Sequence, residues 1–313
     1  MSSDELVVAP QLEPPRQTFI ERHGISPVLF VGITLVFLFF LYQGIPTVVT
    51  LIVYGINIGP DTKIVTPDNV EMWRAMTGLS QILLLLLPTL WLARLVTFTT
   101  PSFLRLRVPR LRLFLLPFIG ILSLQQMLQI YLIVQEKIPL PEALEQFNNQ
   151  LKAAYEELAR LLISSGSVPE LLWVILVIAL IPAFAEEFLF RGLVQRTLEK
   201  GATPWRAVIA TGIIFGAYHV NPASFVPLAV LGIYLGFLAM RADSLWVSVA
   251  AHFYNNAVAC VAVFLHQDED AILTGVPEQM GTTELLLSFW LFGVIFLLAT
   301  YYFIHATKEP DPA

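Results

Sequence analysis

The chain has 313 residues, of which 56% are hydrophobic and 13% are charged, and its mean hydropathy is +0.71. These values lie well outside the range of soluble globular proteins and indicate a polytopic membrane protein. The formal net charge of −6 argues against a nucleic-acid partner, and the single cysteine, Cys260, excludes a disulfide framework and a cysteine-based metal site.

Eight apolar segments have the length and composition of membrane-spanning helices, which need about 20 mostly apolar residues. In chain order, these segments are residues 28–54, 75–93, 113–135, 171–199, 205–219, 225–240, 245–265 and 285–304. The fifth and sixth are the shortest, and the fourth is long enough to project beyond a bilayer. The sequence therefore predicts an all-α fold of about eight transmembrane helices.

The segments outside these spans define the predicted domain organisation. Residues 1–27 form a polar, proline-containing tail, residues 28–304 a single transmembrane domain, and residues 305–313 a short C-terminal tail. The first apolar run has no cleavage-like small-residue site and is interpreted as an uncleaved anchor.

Most of the 18 Lys and Arg residues lie in segments that the eight spans place on the same membrane side as the N-terminus. The positive-inside rule therefore predicts a multi-pass protein of the cell membrane with both termini in the cytoplasm.

Residues 141–163, between the third and fourth spans, are predicted to form an amphipathic helix. Apolar residues recur there at helical spacing, with charged residues on the other face. These apolar residues are Leu144, Phe147, Leu151, Tyr155, Leu158 and Leu162. The pattern fits a helix that lies on the membrane or covers the bundle, and it equally fits an extramembrane helix packed on the loops.

Two adjacent glutamates, Glu186 and Glu187, lie inside the fourth span, after a stretch without charge. A carboxylate at membrane depth costs about 2.5–3.5 kcal/mol on insertion scales, and it normally faces a bundle interior or a wet cavity. Arg191 follows Glu187 by four residues, so the two side chains share a helical face and can pair. Pro182 lacks a backbone donor and is expected to loosen the helix just before the glutamates. The glutamates are a candidate functional site, and a structural ion pair is the alternative.

Two further polar groups interrupt apolar spans. His219 ends the fifth span, and His252 and Asn256, four residues apart and therefore on one helical face, lie within the seventh. At a rise of 1.5 Å per residue, Glu187, His219 and Asn256 lie about 21, 22 and 18 Å from the same membrane side, and His252 lies about 12 Å from it. We therefore expect these side chains to line one intramembrane polar cavity, enclosed by the bundle.

The chemistry of these residue types fits hydrolysis. A carboxylate can act as a general base toward water with the help of a neutral histidine, and a second histidine and an amide can stabilise an oxyanion. Ser224 and Ser248 lack a GxSxG context, and HExxH is absent, so serine and zincin chemistry lack their signatures. Two glutamates and two histidines leave a divalent metal such as zinc as an open alternative.

Three motifs follow one another on successive polar spans: Glu186-Glu187-x-x-x-Arg191, Phe215-x-x-x-His219 and His252-x-x-x-Asn256. In this order they resemble the CPBP family of CAAX-processing and bacteriocin-processing intramembrane proteases, also called Abi proteins. The resemblance covers about a third of the chain, so residues 169–265 are the expected catalytic core. It implies an eight-helix bundle with a cavity open to the cytoplasm, and a glutamate-dependent intramembrane endopeptidase without a cofactor.

The resemblance also implies roles for individual residues. Glu186 is expected to activate a water with His219, while His252 and Asn256 stabilise the oxyanion.

The remaining two motif residues, Glu187 and Arg191, are expected to orient the others, and the two glutamates could exchange roles. The implied partners are a peptide or protein substrate, prenylated or membrane-embedded, and membrane lipid.

Two other functions would use the same residues. A non-catalytic membrane immunity or scaffold protein would bind a peptide or a partner's transmembrane helix in the same cavity. A proton-coupled transporter would relay protons along the Glu and His side chains, but the inverted repeats of many transporters are not evident in the sequence.

Overall fold

The computed structural model describes residues 16–54, 65–139, 141–265 and 280–308, and every regular element in these ranges is a helix. The helices are α1 (Phe19–Arg22), α2 (Pro27–Val53), α3 (Val70–Val96), α4 (Thr100–Phe103), α5 (Arg112–Gln135), α6 (Glu142–Ile163), α7 (Val168–Leu198), α8 (Pro204–Tyr218), α9 (Phe225–Ala242), α10 (Leu245–Leu265) and α11 (Thr282–Ala306). The predicted all-α fold is confirmed. Residues 1–15 and 309–313 of the two predicted tails lie outside the described residues.

Within the described ranges, seven helices are long and apolar enough to cross a membrane: α2, α3, α5, α7, α9, α10 and α11. They correspond to seven of the eight predicted spans. The fifth predicted span is α8, and its 15 residues rise only about 22 Å, less than the roughly 30 Å of a hydrocarbon core. Because α8 is short, it ends partway along the longer helices. His219 at its C-terminal end therefore lies beside Glu186, in the interior of α7.

The outer surface of the bundle is apolar, as expected of a polytopic membrane protein. On α11, Leu287, Trp290 and Leu297 are each about two-thirds exposed, and only 11% of the most apolar stretch of this helix is buried inside the protein. A soluble protein rarely exposes such a continuous apolar face.

In three of the spans, a proline follows a π-helical turn by two residues. The turns and prolines are Phe40–Gly44 with Pro46, Gln81–Leu86 with Pro88, and Ile175–Leu180 with Pro182. Proline has no N–H to donate to the carbonyl four residues earlier, so the turn before it widens. The predicted loosening of the helix before the two glutamates is therefore confirmed.

Most of the apolar core of the described residues lies in two large clusters, and the site lies on helices that these clusters share. One cluster surrounds α7 with residues from α2 and α3, and the other surrounds α9 with residues from α5 and α11. Helix α8 contributes Phe215 to the first cluster and Val208 to the second. Helix α10 contributes Val249 to the first cluster and Ala251 to the second. Packing on both sides therefore fixes α8 and α10, which carry His219 and the His252 motif.

Helices α8 and α9 pack with their backbones in contact at glycines. A Cβ on Gly212 would lie 2.6 Å from the Ile233 nitrogen, one on Gly216 would lie 2.7 Å from the Phe225 carbonyl oxygen, and one on Gly232 would lie 2.9 Å from the Gly212 Cα. Small residues permit such close packing between membrane helices. This contact fixes the end of α8 relative to α9.

Helix α6 is the predicted amphipathic helix, and none of its residues is buried. Its C-terminal end is held by the buried Arg74 of α3, whose guanidinium donates to the carbonyls of Leu161 at 3.1 Å and Leu162 at 3.0 Å, and to the Ser164 carbonyl. The same guanidinium pairs with Glu170 at 2.8 Å. Arg74 therefore ties the end of α6 to both α3 and α7.

Candidate active site

The buried ion pair between Glu187 and Arg191 lies at the centre of the site. Nη1 of Arg191 donates to Oε1 of Glu187 at 2.7 Å, and both side chains are fully buried. Nη2 of Arg191 donates to the Gly232 carbonyl of α9 at 2.9 Å, and the guanidinium lies 4.6 Å from the centre of the Phe215 ring. A carboxylate, a carbonyl and an aromatic face together compensate the buried positive charge. The pair thus links α7 to α8 and α9.

One helical turn further along α7, Gln195 repeats this contact with α9. Its Nε2 donates to the Gly236 carbonyl at 3.2 Å, and a Cβ on Gly236 would lie 2.7 Å from Oε1 of Gln195. Arg191 and Gln195, four residues apart on α7, therefore face Gly232 and Gly236, which are four residues apart on α9. The sequence prediction did not include these contacts, although Gly232-x-x-x-Gly236 on a membrane helix was a signal for them.

His252 of α10 binds the other side of the ion pair. Its Nδ1 lies 2.9 Å from Oε1 of Glu187. A carboxylate paired with Arg191 only accepts hydrogen bonds, so we assign the proton to Nδ1 of His252. The Nε2 atom then faces Glu186 and lies 3.9 Å from its Oε2.

His219, at the end of α8, approaches Glu186 in the same way. Its Nδ1 lies 2.7 Å from the Phe215 carbonyl oxygen, which can only accept, so Nδ1 carries the proton. Its Nε2 lies 3.9 Å from Oε2 of Glu186. Two histidines from two helices therefore direct Nε2 at one carboxylate oxygen, at a distance too long for a direct hydrogen bond.

The two glutamates differ in their surroundings. The Glu187 side chain is fully buried, whereas 17% of the Glu186 side chain is exposed. Oε1 of Glu187 accepts from both Arg191 and His252, and Oε2 of each glutamate has no hydrogen-bond partner among the described residues. Glu186 differs in that its Oε2 faces the Nε2 atoms of both histidines and its side chain is the more exposed of the two.

The described contacts join five of the six predicted site residues: Glu186, Glu187, Arg191, His219 and His252. The sixth, Asn256, lies one turn beyond His252 on α10, where its Oδ1 accepts from Nδ2 of Asn255 at 3.2 Å. With the oxygen occupied, the NH₂ group of Asn256 is the part of the amide that can donate to a further group.

Two half-buried tyrosines that the sequence did not single out lie on helices that pack around α7. Tyr218 packs on Phe190, with ring centres 5.4 Å apart, and its hydroxyl is buried. Tyr42 of α2 accepts from Nε2 of Gln81 at 3.2 Å, and a cavity of about 100 Å³ lies beside it. Both hydroxyls are within electrostatic range of Glu186. The sequence signal for buried polar groups in this region was Gln81, a polar residue inside a predicted span.

Metal ligation was an alternative for the same side chains. Across the part of the chain that the structure describes, no group of three or more His, Cys, Asp and Glu side chains is arranged to hold a metal ion. Glu187 is instead engaged by a guanidinium and an imidazole.

Comparisons with known proteins agree with the three motifs. Residues 168–258, which contain all six predicted site residues, match the family described as "Type II CAAX prenyl endopeptidase Rce1-like". A stretch of 112 residues, 34% of the chain, is 33% identical to "Uncharacterized protein YpbD" of Bacillus subtilis (strain 168) and covers 53% of that protein. The chain thus spans about half the length of the curated relative it matches. No solved structure matches the chain.

The family match begins at the first residue of α7 and ends within α10, so it contains the helices that carry the glutamates, both histidines and Asn256. Residues 168–258 of this membrane protein therefore form a domain of the Rce1-like type II CAAX prenyl endopeptidase family, the CPBP family that the motifs resemble.

Proposed function

We propose that the protein is an intramembrane endopeptidase that hydrolyses a peptide bond with a water activated by Glu186. The observation that supports this best is the convergence of two histidine Nε2 atoms on one Glu186 oxygen, each at 3.9 Å. One water oxygen placed among these atoms contacts a carboxylate and an imidazole at once, as general-base catalysis requires.

In the first step, Glu186 takes a proton from the water while the water oxygen attacks the carbonyl carbon of the scissile bond. His219 holds the same water, because its Nδ1 proton is committed to the Phe215 carbonyl and its Nε2 lone pair is left to accept. The new C–O bond makes a tetrahedral intermediate with a negatively charged oxygen.

That oxyanion is stabilised by His252 and Asn256. Glu187 holds the Nδ1 proton of His252, and the doubly protonated form of the ring donates from Nε2 to the oxyanion. The Asn256 NH₂ group supplies the second donor, since Asn255 occupies its oxygen. Arg191 holds Glu187 in place. One such donor contributes about 10²–10³-fold in kcat in a well-studied protease.

Collapse of the intermediate breaks the C–N bond, and Glu186 returns its proton to the leaving amine. The second proton of the water leaves the new carboxyl group and protonates the amine, so the products are a carboxylate and an ammonium group, and the enzyme regains its starting protonation state. The cycle needs no covalent intermediate.

The proposed substrate is a peptide or protein that reaches the site from the membrane. The family description names prenyl endopeptidases, so a peptide with a C-terminal prenylated cysteine motif is the first substrate class to examine. We further propose that both termini lie in the cytoplasm, as the distribution of Lys and Arg residues predicts.

A panel of fluorogenic peptides, with and without a prenyl group, tests this function on the full chain purified in detergent. Wild type should cleave at least one peptide, and Glu186→Gln should abolish that cleavage. Glu145→Gln, on the exposed face of α6, is the matched control and should keep wild-type turnover. Full turnover by Glu186→Gln would refute the proposal.

Chelation separates the glutamate mechanism from a metal-dependent one. Wild-type cleavage that persists after treatment with a chelator supports water activation by Glu186 alone, whereas loss on chelation and recovery with zinc would favour the metal alternative. If no peptide is cleaved but one binds equally well to wild type and Glu186→Gln, the immunity or scaffold function gains support.

A further inference from the structure

The residue that follows His219 has an unfavourable backbone conformation. Val220 has a φ of +52°, in the left-handed region that β-branched residues strongly avoid. Many helices end with a left-handed residue, but that residue is usually glycine. A valine in this conformation persists only where its surroundings hold it.

The loop between α8 and α9 is bound by two side chains from outside residues 168–258, the segment that matches the family. The hydroxyl of Tyr155, on α6, donates to the Val220 carbonyl at 3.1 Å. Nε2 of Gln135, the last residue of α5, donates to the Ala223 carbonyl at 3.0 Å. Of the two, Tyr155 binds the left-handed residue itself.

The position of Tyr155 is set at the far end of its helix. Arg74 binds the carbonyls of Leu161 and Leu162, about 10 Å along α6 from Tyr155. Lys152, one turn before Tyr155, pairs with Glu136 just after α5. Helix α6 has no fully buried residue, so these polar contacts contribute to holding the tyrosine hydroxyl in place, together with the half-buried side chains of the helix.

The loop between α8 and α9 cannot change conformation without affecting the residues next to it. Helices α8 and α9 are in backbone contact at Gly216 and Phe225, so the segment between them is a short closed loop. A change of φ at Val220 must therefore be absorbed within this loop, and His219 is the adjacent residue. The His219 ring also depends on the last turn of α8, through its bond to Phe215.

We propose that Tyr155 is a positioning residue for His219. Its hydrogen bond to the Val220 carbonyl maintains the left-handed turn, and this turn keeps Nε2 of His219 directed at Glu186. The role in catalysis rests on the proposed function, whereas the control of His219 geometry does not. An amphipathic helix outside the family-matching segment thereby contributes to the geometry of the site.

A double-mutant cycle with Tyr155→Phe and Val220→Gly tests this role in the full chain. Tyr155→Phe removes only the hydroxyl and should lower kcat about tenfold or more, with little change in KM, because small displacements of catalytic groups are costly. Glycine adopts a positive φ without strain. In the Val220→Gly background, Tyr155→Phe should therefore cost less than about twofold. Tyr301→Phe, on the exposed face of α11, is the matched control and should have no effect.

The NMR signals of the imidazole carbons give a readout that does not require cleavage. The chain has five histidines, so single substitutions can assign each signal. Tyr155→Phe should shift the His219 signal but not the signals of His23 or His305, and Val220→Gly should suppress that shift. If wild type cleaves no peptide, the proposed function fails, yet this measurement still decides the positioning role.

Two results would overturn the inference. An equal loss of kcat from Tyr155→Phe in both backgrounds would show that the tyrosine merely anchors α6. An unchanged His219 signal in Tyr155→Phe would show that the hydrogen bond does not set the geometry of the imidazole.

Discussion

His252 and Glu187, which are 65 residues apart in the chain, are joined by a hydrogen bond of 2.9 Å between Nδ1 and Oε1. The same oxygen accepts from Arg191. One buried carboxylate thus orients an imidazole of α10 and neutralises a guanidinium of α7. Oε2 of the neighbouring Glu186 lies 3.9 Å from Nε2 of both His219 and His252, and we propose that Glu186 is the carboxylate that acts on a water.

The two glutamates should respond differently to the same substitution. Glu187→Gln leaves the buried Arg191 guanidinium without its charge partner, and we expect a loss of about 3–5 kcal/mol in stability. Glu186→Gln should cost much less, because its side chain is not hydrogen-bonded to Arg191. Thermal unfolding of both variants in detergent measures the difference, and equal destabilisation would contradict the division of roles.

Replacement of His219 should affect turnover more than binding. His219→Gln keeps a polar side chain but removes the Nε2 proton acceptor, so kcat should fall about 10²–10⁴-fold while KM changes little. Steady-state kinetics on the best cleaved peptide give both constants. His305→Gln, at an exposed position on α11, should behave as wild type. A His219→Gln enzyme with unchanged kcat would remove this histidine from the mechanism.

Activity should fall in acid. The proposed base is an ionised carboxylate, and the histidine that holds the water must be neutral, so protonation of either group stops the reaction. As the pH is lowered, the active form is lost, and as it is raised to neutrality, the active form is regained. A pH–rate profile under single-turnover conditions measures this, and a flat profile from acid to neutral pH would count against a carboxylate base.

The glycine contact between α8 and α9 should be sensitive to a single methyl group. Gly212→Ala would place a Cβ 2.6 Å from a backbone nitrogen of α9, and we expect a loss of about 1–3 kcal/mol in stability from the forced separation. Gly32→Ala in α2 is the control, because nothing lies within 4 Å of the added atom, and alanine there should be neutral or stabilising. Similar melting temperatures for the two variants would refute the close contact.

Local spacing was sufficient to predict much of the site. The i,i+4 relation predicts the Glu187–Arg191 pair, and a constant helical rise places His219 at the depth of the glutamates. The wide turn before Glu186 follows from Pro182. These inferences succeed because each depends on the geometry of one helix. The same helical rise places His252 about 9 Å shallower than Glu187, although the two side chains are hydrogen-bonded.

Contacts between helices distant in the chain could not be predicted in this way. Nothing local indicates that Tyr155 binds Val220, that Arg74 binds the end of α6, or that Gln81 binds Tyr42, because each contact depends on how separate helices pack. The short helix α1 is different. Its first turn is capped by Glu21, whose Oε2 accepts from the Thr18 backbone N–H at 2.8 Å, and Thr-x-x-Glu is a known signature of a helix start within the segment interpreted as a polar tail.

The central claim is that Glu186 activates the water, and kcat of Glu186→Gln relative to wild type on the best cleaved peptide tests it most directly. The measurement needs both proteins at equal folded concentration, with thermal unfolding as the check on folding and Glu145→Gln alongside. The account predicts that Glu186→Gln folds like wild type and has no detectable turnover. A folded Glu186→Gln protein that cleaves at the wild-type rate would contradict it.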